Sequence, residues 1–150
     1  MLIQFRLAWL KPGTPPLKGF KFQAAGILFK EYTDRIAKFV PCKSFGLNPK
    51  EIKKGSGIQR WLCDRQGKVV SSEIMARHLQ TLTDQGIRQL EIVIGGPDGF
   101  SVPEVQALKS DFRWSFGPLT FPHELAAVIA GEQIYRAWTI IRKMPYHLGH

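Results

Sequence analysis

Ile92-Val93-Ile94-Gly95-Gly96-Pro97-Asp98-Gly99-Phe100 runs a hydrophobic stretch straight into a loop that holds three glycines. Residues 87–94 end in Ile-Val-Ile, the composition of a central strand covered on both faces. Glycine placed directly after such a strand lets the backbone take positive φ or approach a ligand closely, and a Cβ would obstruct both. Ligands of open α/β sheets sit beyond the carboxyl ends of the strands, which is where this loop falls. It matches neither GxGxxG nor GxxxxGK[ST]. Two readings therefore stand at this point, a ligand-holding loop and a tight strand-to-helix turn.

Working outward from that loop, the chain alternates between strand and helix patterns. Residues 2–10 read as a buried first strand, closed by Lys11-Pro12-Gly13-Thr14-Pro15-Pro16, which can continue neither regular structure. Ala25, Leu28, Phe29, Tyr32, Ile36 and Phe39 share one face of a helix, and their spacing assigns the aromatic stripe to core packing rather than base stacking. A short strand over 40–45 leads into a basic, glycine-bracketed loop over 46–57, where Lys50, Lys53 and Lys54 could meet phosphates or simply solvate the surface. Residues 58–64 read as a strand and 65–68 as a turn. Ser71 or Ser72 caps a helix with Met75, Leu79 and Leu82 on its inner face and Gly86 at its stop. A short helix over 103–112, a strand or extended segment over 114–121 and a long helix over 124–143 complete the pattern. The alternation predicts an α/β fold, a mostly parallel sheet flanked by helices, in one domain spanning 1–150.

The last helix carries Ala127, Ala130, Ile134, Ala137 and Ile141 on one stripe and Val128, Gly131, Tyr135 and Trp138 on the next. Such a helix needs either the sheet plus a second subunit, or full enclosure within the chain. With 21 Lys and Arg against 12 Asp and Glu, the 150-residue chain has a formal charge of +9, which favours encounter with a polyanion such as nucleic acid. Cys42 and Cys63 form no CxxC pair and have no companion His cluster, so no metal site is expected. No run of about 18 apolar residues and no secretory leader pattern is present, and the expected location is the cytoplasm. No nucleophile motif marks a hydrolytic triad. His78 reads as surface or core filler, Asp98 and Glu104 as cap or loop residues, and His123, His147 and His150 flank or follow the final helix.

Four segments in register carry a resemblance. Ile94-Gly95-Gly96-Pro97-Asp98-Gly99-Phe100, Leu119-Thr120-Phe121-Pro122-His123, Glu132-Gln133-Ile134-Tyr135-Arg136-Ala137-Trp138 and Pro145-Tyr146-His147 closely resemble the RlmH family of ribosomal large-subunit pseudouridine-N3-methyltransferases. The resemblance implies a C-terminal trefoil knot of the SPOUT class, a homodimer, and S-adenosylmethionine as methyl donor. By position it assigns cofactor contacts to Cys63, Gly95, Gly96 and the segment Phe116, Gly117, Pro118, Leu119, Thr120 and Phe121. It assigns the acceptor side to Tyr146 and His147, with His147 as general base or as part of a tail that only positions RNA, and Arg136 to phosphate or dimer contacts. The implied partner is large-subunit rRNA on the assembled 70S ribosome. The alternatives are a knotted methyltransferase with another RNA substrate and a ribosome- or RNA-binding protein without catalysis. This sequence departs from the family in having Cys63 for leucine, Leu148 for the final arginine, a longer Pro-rich loop, and only residues 48–57 where relatives carry a further helix.

Overall fold

The computed structural model describes residues 1–48 and 52–148. In β1 (Leu2–Leu7) the residues Ile3, Phe5 and Leu7 are fully buried, while Gln4 and Arg6 point to the opposite face. This period of two identifies a strand with one dry side. β4 (Gln89–Ile94) is buried from Leu90 to Ile94, on both faces, and lies at the centre of a five-stranded sheet of order β2-β1-β4-β3-β5. The other strands are β2 (Cys42–Gly46), β3 (Ile58–Val69) and β5 (Phe112–Ser115). Every pairing is parallel, and the register aligns Phe5 with Ile92 and Ile92 with Trp61.

Four helices cover the sheet: α1 (Gln23–Ile36), α2 (Ser72–Asp84), α3 (Val102–Leu108) and α4 (His123–Ile141). Ser71 caps α2 by accepting from the Ile74 N–H at 3.1 Å, and Gly86 ends the turn after it at φ 73°. Ser101 and Glu104 form a reciprocal capping box on α3, so Glu104 is a cap as its sequence position implied. Burial of Ile3, Phe5, Leu7, Trp61, Leu90 and Ile92 against α1, α2 and α4 makes the main core, and Leu62, Val93 and Leu108 form a smaller one under α3.

α4 packs between α1 and α2. Tyr32 meets Tyr135 at 6.1 Å, Phe39 stacks on Trp138 at 6.4 Å, and Ser72 donates to Gln133 Oε1 at 2.7 Å. At Gly131 a Cβ would meet Tyr32 Cβ at 3.5 Å, an ordinary contact, so α1 packs closely on this turn of α4 without demanding glycine there. Packing within the chain thus covers the Ala127, Ala130, Ile134 and Ala137 stripe of α4, while Leu125 is exposed and Ile129, Ile140 and Ile141 are half-buried.

Several boundaries differ from the sequence reading. β1 ends at Leu7 and α3 at Leu108, and β5 stops at Ser115 rather than reaching 121. The expected turn over 65–68 lies inside β3: Cys63 and Lys68 both pair with Trp114, so residues 64–67 bulge out of one continuous strand. Gly67 makes this possible, because a Cβ there would lie 2.4 Å from the Arg113 carbonyl oxygen. Lys50 and His150 fall outside the described residues. Among the described residues of 46–57 no helix occurs, and none of the described helices is long and apolar enough to cross a membrane.

On the face away from the main core, the buried Arg60 donates to Glu91 Oε2 at 2.9 Å, to the Leu108 carbonyl at 2.6 Å and to the Lys53 carbonyl at 2.8 Å. Loss of one member of such a buried pair costs about 3–5 kcal/mol. These bonds pin the basic segment after residue 51 to the sheet.

Candidate cofactor cleft

Parallel strands deliver their following loops to one edge of the sheet, and here two of those loops meet a bulge of β3. The β4–α3 loop over 95–100, the β3 bulge over 64–66 and the segment after β5 enclose an open cleft of about 400 Å3. That size suits a ligand of drug dimensions. Cys63, Gly95, Gly96, Phe116, Gly117, Leu119, Thr120 and Phe121 all line it, so eight residues assigned to the cofactor from sequence converge in space. Pro118 belongs to the same segment but is not part of the wall.

The glycines have separate jobs. A Cβ at Gly95 would press on Phe100 Cε2 at 3.0 Å and on the Gly99 backbone at 3.3 Å, so a side chain there crowds the turn and its neighbours must shift. At Gly96 the nearest atom would be Trp9 Cβ at 3.7 Å, ordinary contact, so the chain's own packing does not demand glycine at this position. Gly99 at φ 68° donates its N–H to the Gly96 carbonyl at 3.0 Å and closes the loop. Gly117, at φ 107°, donates its N–H to the Ser115 hydroxyl at 3.1 Å, and the same hydroxyl donates back to the Gly117 carbonyl. Backbone conformation, at Gly99 and Gly117 above all, shapes both loops.

The apolar side of the cleft comes from Ile94, Trp114 and Phe116, whose last two rings meet edge to face at 4.8 Å. Cys63 sits in register between Ile94 and Trp114. Desolvation, and after it the neighbouring Asp64 carboxylate, holds its thiol far above the ordinary range, so it lines the cleft as a neutral group.

Sequence reasoning missed the charged and polar residues that the bulge brings to the wall. Asp64, Arg65 and Gln66 enter it because they form the bulge, and nothing in a local pattern separates a bulge from a turn. Arg113 pairs with Asp64 and braces the bulge from β5. Arg65 donates to the Thr120 hydroxyl at 2.5 Å and so spans two sides of the cleft. Asp98 lines the cleft as well, and among the described residues neither Arg65 nor Asp98 forms an ion pair. His123, at the start of α4, closes the rim and meets Trp9 edge to face at 4.7 Å.

Arg136, Tyr146 and His147 form a second cluster that does not line this cleft. Arg136 pairs with Glu132 at 2.6 Å, lies over the Tyr146 ring at 4.8 Å, and approaches His147 Nδ1 at 3.0 Å. Tyr146 donates to Glu132 at 3.1 Å, and His147 Nε2 lies 2.8 Å from Glu73. Burial, then the hydroxyl of Tyr32 and the Glu132 carboxylate, push the Tyr146 phenol well above its usual value. His78, by contrast, packs against Phe112 at 5.3 Å and Trp61 at 6.3 Å, and desolvation followed by Lys68 and Arg77 lowers its pKa. It is core filler. Among the described residues no group of His, Cys, Asp and Glu is arranged to hold a metal ion.

The family model described as "Predicted SPOUT methyltransferase" matches residues 20–147. The chain belongs to the SPOUT methyltransferase family. Two proteins named "Ribosomal RNA large subunit methyltransferase H" illustrate the range of likeness. The one from Stenotrophomonas maltophilia is 36% identical over 138 residues, 79% of this chain and 86% of the relative. The one from Bartonella bacilliformis is 45% identical over 86 residues, 57% of this chain, and the match spans about half of that relative, 52%. As a SPOUT methyltransferase, the chain places its cleft-lining glycine loop and its 116–121 segment inside the part matched by the family model.

Proposed function

We propose that this chain transfers the methyl group of S-adenosylmethionine to N3 of a pseudouridine in large-subunit ribosomal RNA, on the assembled ribosome, acting in the cytoplasm as a homodimer with a C-terminal trefoil knot. The observation that carries the reading is the convergence of Cys63, Gly95, Gly96 and five residues of the 116–121 segment on one cleft beyond the carboxyl ends of the strands. The names of the relatives support the RNA substrate.

The cleft fits the donor by its chemistry. Ile94, Trp114 and Phe116 offer an apolar surface for a purine ring, and the loop over 116–121 offers backbone groups to its edge. Arg65 and Asp98 present opposite charges to the zwitterionic amino-acid end. When bound, S-adenosylmethionine supplies a methyl group made electrophilic by the sulfonium. The acceptor N3 becomes nucleophilic as its imide proton leaves, so the protein must hold the base in line and favour the developing anion. Arg136, Tyr146 and His147 are the groups assigned to that side. Because they lie outside the cleft of their own chain, this reading places them at the boundary of the dimer, where the acceptor is shared.

Calorimetric titration of the purified protein with S-adenosylmethionine, alongside Gly95→Trp, tests the donor site, and methylation of 70S ribosomes against free RNA tests the acceptor. Saturable binding lost in the variant, with methyl transfer to ribosomes, is the expected result. A folded wild-type protein that binds no S-adenosylmethionine refutes the enzyme and favours a ribosome binder, and transfer to another RNA alone refutes the ribosomal substrate.

A further inference from the structure

A second cleft, of about 390 Å3, adjoins the first and shares Pro97 and His123 with it. Its outer wall is the Pro-rich loop between β1 and α1, including Lys11 and Lys21. That loop is held at both ends: Leu10 and Phe20 are buried, and Trp9 donates its indole N–H to the Gly19 carbonyl at 3.1 Å. Close packing fixes it further, since a Cβ at Gly19 would fall 1.6 Å from Leu10 Cδ2 and one at Gly46 would fall 2.6 Å from the Leu10 carbonyl oxygen. Lys11 and Lys21 each follow one of the buried anchors directly, so two exposed cations are presented from a rigid base. Among the described residues neither pairs with a carboxylate. The acidic residue in this wall, Glu124, is buried and accepts the Phe22 backbone N–H at 3.0 Å.

We infer that this second cleft holds the RNA strand that carries the acceptor base, with Lys11 and Lys21 on its phosphates, so that the base reaches the cofactor cleft across Pro97 and His123. The inference rests on the RNA methyltransferase reading above and deepens it by naming the surface that meets the substrate. Two fixed cations beside a methyl-transfer cleft recognise a phosphate backbone without reading its sequence. The longer Pro-rich loop thereby becomes an element of substrate affinity and positioning belonging to this chain.

The test compares Lys11→Glu/Lys21→Glu with Lys38→Glu/Lys43→Glu, a charge-matched pair at the opposite end of the sheet, where α1 ends and β2 begins. All four lysines are exposed, so neither pair of changes disturbs the core. Methyl transfer from tritiated S-adenosylmethionine to 70S ribosomes and to protein-free large-subunit RNA is followed as a function of salt, and donor affinity is measured separately by calorimetry. The expected result is a kcat/KM at least about tenfold lower for the Lys11/Lys21 pair, and a log-log salt slope shallower by about 1.4 for two lost contacts on a single strand. Donor affinity is expected to hold, the Lys38/Lys43 pair to match the wild type, and Lys11→Arg/Lys21→Arg to retain activity. Wild-type rates in the Lys11/Lys21 pair, or equal losses in the control pair, overturn the inference while leaving the methyltransferase reading intact. A wild-type protein that binds the donor and methylates neither substrate overturns the RNA reading and this inference with it.

Discussion

Replacing Gly67 by alanine places a methyl carbon 2.4 Å from the Arg113 carbonyl oxygen, 2.5 Å from its carbon and 2.9 Å from the Trp114 nitrogen. All three are backbone atoms of β5, which no rotamer change can move aside. Restoring ordinary contact requires β3 and β5 to part by about 1 Å, which strains the pairing of Cys63 and Lys68 with Trp114 and slackens the bulge between them. Overpacking of this kind costs about 1–3 kcal/mol. For a chain of this size, 1 kcal/mol moves Tm by about 2–4 °C, so a cost of 2–3 kcal/mol corresponds to a fall of about 4–12 °C. The bulge also carries Asp64, Arg65 and Gln66 into the cleft, so affinity for S-adenosylmethionine should drop about tenfold alongside the loss of stability. Differential scanning calorimetry and a donor titration read the two effects. Gly55→Ala is the control, because a Cβ there has nothing within 4 Å. A Gly67→Ala protein within about 1 °C of the wild type and with unchanged donor affinity would refute the claim that the bulge builds the cleft.

Arg65→Met should weaken donor binding by about three- to tenfold, the scale of one exposed charge-assisted hydrogen bond, while leaving the Tm unchanged; equal affinity by calorimetry would remove Arg65 from the site. Hydrogen bonding to His147 lowers the Glu73 pKa, so this carboxylate favours the native state above the ordinary carboxylate range, and that contribution is lost as pH falls through the lowered folded value. In His147→Ala the Glu73 carboxyl resonance should titrate at higher pH than in the wild type, and an unmoved titration would show that the contact does not persist in solution. Cys63 should resist iodoacetamide at pH 8 in the native protein and react once unfolded, since its thiol stays protonated; alkylation at the same rate in both states would contradict the desolvated setting.

What the sequence disclosed depended on whether the signal was local. Period-two burial in β1, the serine cap of α2 and the Ile-Val-Ile run of β4 are local, and each of these elements exists where the pattern put it, although β1 ends three residues earlier than read. Strand order is not local, and the placement of β4 between β1 and β3 came only with the fold. The 65–68 segment misled because Arg-Gln-Gly-Lys has turn composition, yet its glycine serves a close approach of two strands rather than a reversal of the chain. The same misreading hid Arg65, whose role exists only because the bulge turns it toward Thr120, 55 positions away. Gly95, Gly96 and Gly117 were legible through the resemblance of the segments that hold them, and of the three only Gly117 takes a positive φ that favours glycine. The tail cluster shows where even motif matching stops. Arg136, Tyr146 and His147 come together as the segments in which they lie suggested, but they close on Glu132 and Glu73 instead of on the cleft. Three polar side chains already satisfied by carboxylates are poorly placed to take a proton within their own chain, so catalysis by them requires either a second copy that brings the acceptor to them or a rearrangement that releases His147 from Glu73. A pH-rate profile of His147→Gln separates these demands from a purely structural brace: a brace lowers Tm and leaves the profile's shape unchanged, whereas a base removes its acidic limb.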